Sequence, residues 1–265
     1  MNMNPVSISL SSFGADAVRH QGQAAFVDLV AASGASRIEL REELLTIESL
    51  SALCSAVASR QLECLYSSPI ELWVPENTAP NPQLSATLQR AVLAGAQWLK
   101  VSLGHYREDC DLAALAQILT QQPVRLLVEN DQTLQGGLID GFVHFFARIS
   151  DLHIPVGMTF DVGNWHWQEQ SHLSAAQQLG QYVEYVHFKA VTRDAAGKLI
   201  AIPPQPGDLP EWRELLGYMT PGLPRAIEYP LQGDDMLEVT RHQVSILAGL
   251  AGTHEAAQTK EPSHV

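Results

Sequence analysis

The sequence TFDVGNWHW, residues 159–167, joins the end of an apolar run to a short polar turn. Asp161 ends the apolar run, and Asn164 and His166 follow it among glycine and tryptophan residues. Aspartate is disfavoured within β-strands, and a buried carboxylate without a partner is energetically costly. We therefore predict that Asp161 ends a buried strand and shares its negative charge with another group.

This strand is one of eight short β-rich runs that alternate with longer segments of helical periodicity. The runs begin at Val6, Arg37, Leu62, Trp98, Val124, Val156, Tyr182 and Arg225. Their starts lie roughly 31 residues apart on average, which suits a repeated βα unit. Eight such units in about 250 residues predict a single-domain α/β protein, a (β/α)8 TIM barrel over residues 1–251. The polar and aperiodic residues 252–265 are predicted to form a disordered tail.

A doubly wound open sheet is the alternative α/β fold. Such sheets usually carry a glycine-rich phosphate-binding turn after the first strand. The first turn here, SSFGAD, has one glycine and no GxGxxG pattern. The proline-rich stretches VPENTAPNP (from Val74) and IPPQPGDLPEW (from Ile202) fall inside the βα repeat. We interpret both as loops that follow strands, and therefore as parts of one domain.

The composition excludes several classes of partner. The formal net charge is −13, and the sequence contains no cluster of Lys or Arg, which argues against nucleic acid and anionic membranes. The three cysteines form no CxxC pair, which argues against a disulfide framework or zinc cluster and favours a reducing compartment. The first residues do not resemble a signal peptide, and no apolar run reaches transmembrane length. We expect a cytoplasmic protein.

Polar residues stand at the ends of five predicted strands. In chain order they are Glu39 and Arg41, Glu129 and Asn130, Asp161, His187 and Lys189, and Glu228. The carboxyl ends of all strands meet at one mouth of a TIM barrel, where functional groups gather. Three carboxylates and an imidazole suit one Mn²⁺, Mg²⁺ or Co²⁺ ion better than a structural zinc ion. A shared divalent cation would explain the position of Asp161.

Five stretches resemble the xylose isomerase-like superfamily of TIM barrels, and particularly its sugar isomerase and epimerase branch. They are LLVEN, FDVGN, VHFKA, PQPGDLPEW and AIEYP, in this order along the chain. This branch includes tagatose 3-epimerase-like and hydroxypyruvate isomerase-like enzymes, and the resemblance extends from Val6 to about Gly249. Oligomers are usual in the superfamily, so a homo-oligomer is an expectation that the resemblance carries.

The resemblance implies a ligand set and a reaction. Glu129, Asp161, His187 and Glu228 would bind one divalent ion, with zinc as a further option, and the two glutamates would be the catalytic acid and base. The metal would chelate the carbonyl and a neighbouring hydroxyl of a small ketose or hydroxy-keto acid, and a glutamate would remove the adjacent proton to give an enediolate. Returning the proton to the opposite face gives an epimer, and returning it to the neighbouring carbon gives an isomer.

Two positions differ from the pattern of the related epimerases. Asn164 stands where relatives carry a substrate-contacting histidine, and the nearest imidazole is His166. Ala190 stands where many relatives carry an aspartate. Both differences concern the substrate, and neither removes a predicted metal ligand. The predicted substrate-binding residues are Lys189, Asn164, His166, Glu39 and Arg41.

Some of these residues also have a purely structural interpretation. Lys189 would bind a substrate oxygen or phosphate, or else pair with a ligand carboxylate. Glu39 and Arg41 would form a structural salt bridge, which is the favoured interpretation, or contact substrate. His166 is more often a loop or helix-capping residue than a ligand.

Aromatic residues near the predicted mouth leave similar alternatives. Trp165 and Trp167 would either line a sugar-binding pocket or anchor their loop by packing against neighbouring residues. Trp73 would belong to a surface loop, which is favoured, or to a lid over the mouth. His105 follows the fourth strand and ranks below the other candidates.

The same scaffold supports other functions. A metal-dependent dehydratase of the inosose or dehydroshikimate kind would start with the same proton abstraction and then expel a hydroxyl, so the sequence does not separate it from an isomerase. An apurinic-site endonuclease would need more metal ligands and a DNA-binding surface. A non-catalytic sugar-binding barrel would not need the ligand set.

Overall fold

The computed structural model of the chain describes residues 4–45, 49–75, 77–120 and 122–252. Within these ranges, eight parallel strands close into a barrel and nine α-helices are present. The predicted (β/α)8 TIM barrel is confirmed. The predicted disordered tail lies outside the described residues, apart from Gly252.

The strands and helices follow the predicted alternation. The strands are β1 (Val6–Ser9), β2 (Arg37–Arg41), β3 (Glu63–Trp73), β4 (Trp98–Gly104), β5 (Arg125–Glu129), β6 (Val156–Asp161), β7 (Val183–Phe188), β8 (Ala190–Arg193), β9 (Leu199–Ile202) and β10 (Arg225–Ile227). The helices are α1 (Ala15–Gln21), α2 (Val27–Ala32), α3 (Leu50–Ser59), α4 (Leu84–Leu93), α5 (Leu112–Leu119), α6 (Ile139–Asp151), α7 (His172–Leu179), α8 (Asp208–Leu216) and α9 (Met236–Ala248). The strand order around the barrel is β1-β10-β7-β6-β5-β4-β3-β2. Among the described residues, no helix is long and apolar enough to cross a membrane.

The helices cover the barrel with apolar faces set by their periodicity. Helix α6 shows this most clearly, because its buried residues are spaced three and four apart. They are Ile139, Phe142, Phe145, Phe146 and Ile149. Asp111, Ser171 and Asp235 accept a backbone N–H at the starts of α5, α7 and α9, where the first N–H groups lack helical partners. The main core therefore lies between the strands and the ring of helices.

The barrel interior has an apolar layer beneath a polar one. Leu65, Leu127, Tyr185 and Ala226 form a separate buried cluster inside the barrel. On each of these strands, the residue two positions later points to the same face, because side chains alternate along a strand. Those later residues are Ser67, Glu129, His187 and Glu228. The apolar layer thus supports a polar layer at the carboxyl ends of the strands.

The connection after β7 differs from the sequence interpretation. Strands β8 and β9 pair as an antiparallel hairpin that the sequence analysis does not predict. Most of their residues are exposed or half-buried, so they lack the apolar run that marks a barrel strand. The stretch IPPQPGDLPEW, interpreted as a loop, contains the end of β9 and the start of α8 at Asp208. Pro210 is compatible with that helix because it lies in the first turn.

Trp73 also differs from its favoured interpretation as a surface-loop residue. It is the last residue of β3 and is fully buried. Its ring centroid lies 6.2 Å from that of Tyr106. Strand β3 is long enough to carry Trp73 into the core, so this residue anchors the wall of the barrel and is not a lid.

The last residue of β4, Gly104, must be a glycine because of both its backbone conformation and its close neighbours. Its φ is +69°, and an added Cβ would lie 2.4 Å from the backbone oxygen of Trp73. We expect Gly104→Ala to destabilise the protein by at least about 2 kcal/mol, which lowers the melting temperature by roughly 5 °C or more.

Gly197 provides the matched control for this prediction, measured by thermal unfolding. Its φ is +80°, but an added Cβ would meet no atom within 4 Å. Gly197→Ala therefore carries only the cost of a left-handed backbone, about 1 kcal/mol. Equal losses in the two variants would contradict the close approach to Trp73.

Candidate metal centre

The four predicted metal ligands come together at the carboxyl mouth of the barrel. Glu129, Asp161, His187 and Glu228 each offer a ligand atom, and these atoms all lie within 4.8 Å of one another. They lie at or next to the carboxyl ends of β5, β6, β7 and β10, which are consecutive around the barrel. We call these four residues the ligand cluster.

The ligand atoms converge on the Nδ1 atom of His187. This nitrogen lies 2.6 Å from Glu129 Oε1, 3.8 Å from Asp161 Oδ2 and 3.2 Å from Glu228 Oε2. We call these three atoms the inward oxygens. His187 Nδ1, Glu129 Oε1 and Asp161 Oδ2 are buried, and none has a hydrogen bond of acceptable geometry. Asp161 Oδ2 has a charge partner in Lys189, whose Nζ atom lies 2.7 Å away, and one divalent cation would satisfy the remaining buried ligand atoms together. The residues therefore fit a metal ion.

The other oxygen of each carboxylate is held by a neighbouring donor. Lys100 Nζ lies 2.6 Å from Glu129 Oε2, and Arg41 Nη1 lies 2.8 Å from Glu228 Oε1. The backbone N–H of Asn164 donates to Asp161 Oδ1 at 2.9 Å. These contacts fix the orientation of each carboxylate and leave one oxygen facing inward.

Glu39 orients the imidazole of His187 from the opposite side. Its Oε2 atom lies 2.7 Å from His187 Nε2, and both side chains are fully buried. A carboxylate that accepts the outer N–H of a histidine fixes the tautomer in which the other nitrogen binds metal. Arg41 Nη1 lies 3.1 Å from Glu39 Oε1, so the favoured salt bridge between these two residues is present. Glu39 lies behind His187 and does not line the cavity described below.

Asn130 and Asn164 position the end of strand β6. The Asn130 side chain accepts the backbone N–H of Asp161 at 2.8 Å and donates to its carbonyl oxygen at 2.9 Å. Asn164 Nδ2 donates to the Asn130 carbonyl at 2.8 Å, and Gln132 Nε2 donates to Asn164 Oδ1 at 3.2 Å. The asparagines of LLVEN and FDVGN therefore bind the two strand ends together.

Burial and the neighbouring charges strongly shift the pKa values of the carboxyl groups in this site. Burial raises the pKa of Asp161 to about 7, with the charges of Glu228 and Glu129 acting in the same direction and Lys189 against them. Burial would also raise the pKa of Glu129 and of Glu228, but their cationic neighbours outweigh it and lower both values. For Glu129 the largest such contribution is that of Lys100, and for Glu228 it is that of Lys189. Both glutamates are therefore ionised at neutral pH.

A cavity of about 330 Å³ opens above the ligand cluster. Glu129 and Glu228 line it, whereas Asp161 and His187 are fully buried beneath it. Polar groups surround the opening, among them Arg41, Ser67, Ser68, Lys100, Gln132 and Lys189. We call this space the mouth cavity. A larger cavity, of about 620 Å³, lies beside His105 and the start of α6 and contains no member of the cluster.

The turn after Asp161 separates the remaining candidates. Asn164 lines the mouth cavity, whereas His166 is exposed and its ring centroid lies 5.4 Å from that of His172. Trp165 is fully buried, with ring centroids 5.8 Å from Phe142 and 5.7 Å from Phe160. Trp165 therefore anchors the loop, and the structure does not bring His166 to the cluster.

Three further residues complete the placement of the sequence candidates. Trp167 is half-buried, and His105 lines the larger cavity. Ala190, the second departure from the family pattern, is buried and pairs with Ile202 at the start of the β8–β9 hairpin.

Lys100 is the residue that the sequence analysis misses. It is 3% exposed, and its Nζ atom lies 3.6 Å from Glu39 Oε1 in addition to its contact with Glu129. The available signal is its position in WLKVSLG, where a lysine interrupts a strand whose alternate residues Leu99 and Val101 are buried. A lysine on the interior face of a closed barrel must have a carboxylate partner.

Comparison with known proteins shows which solved structures share this fold. No protein-family model and no curated protein matches the sequence. The IolI protein, solved with a bound zinc atom, has 13% identity and a TM-score of 0.70 over 93% of this chain and 99% of its own. D-psicose 3-epimerase from Clostridium cellulolyticum H10 has 12% identity and a TM-score of 0.67 over 94% and 99%. The probable 3-DHS dehydratase AsbF from Bacillus anthracis has 13% identity and a TM-score of 0.64 over 92% and 98%.

These structures share the whole barrel with this chain at low sequence identity. A protein from Salmonella typhimurium LT2 described as containing a xylose isomerase domain gives a similar match, with 16% identity and a TM-score of 0.67 over 93% of this chain and 99% of its own. The predicted resemblance to the xylose isomerase-like TIM barrels is thus confirmed at the level of the fold. The neighbours named as enzymes are epimerases and a probable dehydratase.

Proposed function

We propose that the protein is a divalent-metal-dependent isomerase or epimerase of a small ketose or hydroxy-keto acid. One observation carries the proposal. Three carboxylate oxygens and one imidazole nitrogen converge at the base of a polar cavity, and only the two glutamates reach that cavity. This arrangement supports metal-holding roles for all four residues and acid–base roles for Glu129 and Glu228.

Glu129, Asp161, His187 and Glu228 would hold the metal, with Mn²⁺, Mg²⁺ or Co²⁺ preferred by the oxygen-rich ligand set and Zn²⁺ as a further candidate. When bound, the ion would supply Lewis-acid polarisation of a substrate carbonyl and so acidify the neighbouring C–H group. The zinc-containing neighbour supports a metal in a barrel of this shape.

The two glutamates are placed so that one could remove a proton from the substrate and the other could return one. They stand at the two ends of the row β5-β6-β7-β10, with Asp161 and His187 between them. Both are ionised at neutral pH, which is the form that removes a proton. The glutamate on the opposite face would first take up a proton from solvent and then donate it to the substrate. A substrate held between them would present one face to each, which an epimerase requires.

Substrate binding would depend on the polar wall of the mouth cavity. Ser67, Ser68, Gln132 and Asn164 offer hydroxyl and amide groups there. Such groups suit hydroxyl-bearing substrates. Arg41 and Lys100 would position the glutamates through the oxygens that do not face inward.

A dehydratase is the second candidate, and the similarity to AsbF favours it. In a dehydratase, one glutamate would remove the proton beside the carbonyl, and the carboxyl group formed in this way would protonate the departing hydroxyl, so that water leaves and a double bond forms. Loss of one water from the substrate separates the two candidates, since isomers and epimers retain the mass.

We expect the purified protein to contain about one divalent ion per chain and to lose activity and thermal stability on chelation. A ligand that binds only the folded state, at 100 times its dissociation constant, stabilises it by about 2.7 kcal/mol. The test is metal analysis and thermal unfolding with and without EDTA, followed by a panel of ketoses and keto acids read by mass and chirality. A protein without metal, unaffected by chelation and inactive with Mn²⁺ added, would contradict the proposal.

A further inference from the structure

Lys189 differs from the other cations around the ligand cluster. Lys100 and Arg41 contact the outer oxygens of Glu129 and Glu228. The Nζ atom of Lys189 instead lies 2.7 Å from Asp161 Oδ2 and 2.8 Å from Glu228 Oε2, which are inward oxygens. Among the described residues, Lys189 and His187 are the two side chains that form ion pairs with these inward oxygens of Asp161 and Glu228.

This ammonium group is part of the buried site. Lys189 is 6% exposed, and its contacts with Asp161 and Glu228 are too short to leave room for intervening water. Within a protein, two opposite charges at this distance attract strongly, and two like charges repel strongly. The ammonium therefore supplies positive charge to the same two oxygens that a metal ion would use.

Gly163 of the FDVGN stretch makes room for the Lys189 side chain. A Cβ atom at position 163 would lie 2.4 Å from Lys189 Cγ. The φ of Gly163 is −78°, which any residue can adopt, so its backbone conformation does not require glycine. Glycine is needed there because the lysine stem passes directly over it.

We infer that Lys189 is an internal counter-cation that competes with the divalent ion for Asp161 and Glu228. This inference rests on the proposed metal site. In the metal-free protein, Lys189 compensates two buried carboxylates and stabilises the fold. When a divalent ion draws on the same oxygens, the ammonium repels it, so Lys189 lowers the metal affinity. Lys189 is then a positioning residue that sets how readily the site fills and empties.

The test compares Mn²⁺ binding by calorimetry and thermal unfolding in EDTA for the wild type and Lys189→Met. Methionine keeps an unbranched stem and removes the charge. We expect Lys189→Met to bind Mn²⁺ roughly tenfold more tightly or better, and to unfold at a lower temperature without metal. Lys198→Met is the control, because Lys198 is exposed on the β8–β9 hairpin, and it should match the wild type in both measurements.

Lys189→Gln serves as a second variant if the methionine variant does not fold. Its neutral amide can still donate to one of the carboxylates, and it should also bind Mn²⁺ more tightly than the wild type. If the wild type binds Mn²⁺ and both variants bind it equally or more weakly, this inference is wrong and the proposed function stands. If neither the wild type nor any folded variant binds Mn²⁺, the metal-dependent function and this inference are both wrong.

Discussion

Asp161→Asn is expected to lower the affinity for Mn²⁺ by more than about 100-fold, and to remove the rise in melting temperature that the metal produces. Asp161 is fully buried, and its Oδ2 atom is one of the inward oxygens. Asparagine keeps an oxygen for the Asn164 N–H but removes the negative charge that a divalent cation needs. The measurement is isothermal titration calorimetry with MnCl₂, accompanied by thermal unfolding in metal and in EDTA.

Asp131→Asn is the matched control for this change. Asp131 lines the same mouth cavity but is not a member of the ligand cluster. Its Oδ1 atom accepts the Thr133 N–H at 2.8 Å, and asparagine preserves that contact. We expect its Mn²⁺ affinity to lie within about threefold of the wild type, since a single charge at a solvated cavity wall acts weakly on the site. If Asp161→Asn and Asp131→Asn bind Mn²⁺ alike, the assignment of Asp161 as a ligand is wrong.

The strand-end acids and the histidine of the ligand cluster can be located in the sequence because their signals are local, whereas the choice of these four as ligands comes from the resemblance to the xylose isomerase-like barrels. Glu129, Asp161 and Glu228 each end an apolar run, where an acid is unexpected, and His187 lies in the run VEYVHF. The parallel arrangement of the strands then brings all their carboxyl ends to one mouth of the barrel, independently of the conformation of the loops. A regular fold therefore turns four separate local signals into one site.

The surroundings of the cluster could not be predicted in the same way. Lys100 lies within a strand, and its partner Glu129 is on the neighbouring strand, so the pairing depends on the register between β4 and β5. The choice of which carboxylate oxygen faces inward depends on side-chain orientations that tertiary contacts decide. Sequence spacing carries no information about either.

The turn after Asp161 illustrates the same limit. Asn164–Gln168 form a 3-10 helix, in which successive side chains point in directions about 120° apart. Trp165 occupies the core between Phe142 and Phe160, which leaves Asn164 at the cavity and His166 at the surface. The sequence shows both polar residues beside the strand end, but only the packing of the tryptophan decides which of them reaches the site.

Glu129→Gln and Glu228→Gln are each expected to lower turnover by roughly 10³-fold at saturating metal, because each removes one group that transfers a proton. Glutamine retains the shape of the side chain and an oxygen for the metal. Glu43→Gln is the control, since Glu43 contacts Arg41 at 2.8 Å but is outside the ligand cluster. It should retain most of the wild-type turnover. Turnover is measured on the substrate found in the ketose and keto-acid panel.

Exchange of substrate hydrogen with D₂O distinguishes the roles of the two glutamates. If each glutamate serves one face of the substrate, the wild type incorporates one deuterium beside the carbonyl of either epimer. Glu129→Gln should then exchange only one of the two epimers, and Glu228→Gln only the other, because the remaining base still removes the proton on its own side. If one variant loses all exchange and the other exchanges as the wild type does, a single base acts, as in an isomerase or a dehydratase. Retention of full turnover by either variant would contradict the proposed acid–base pair.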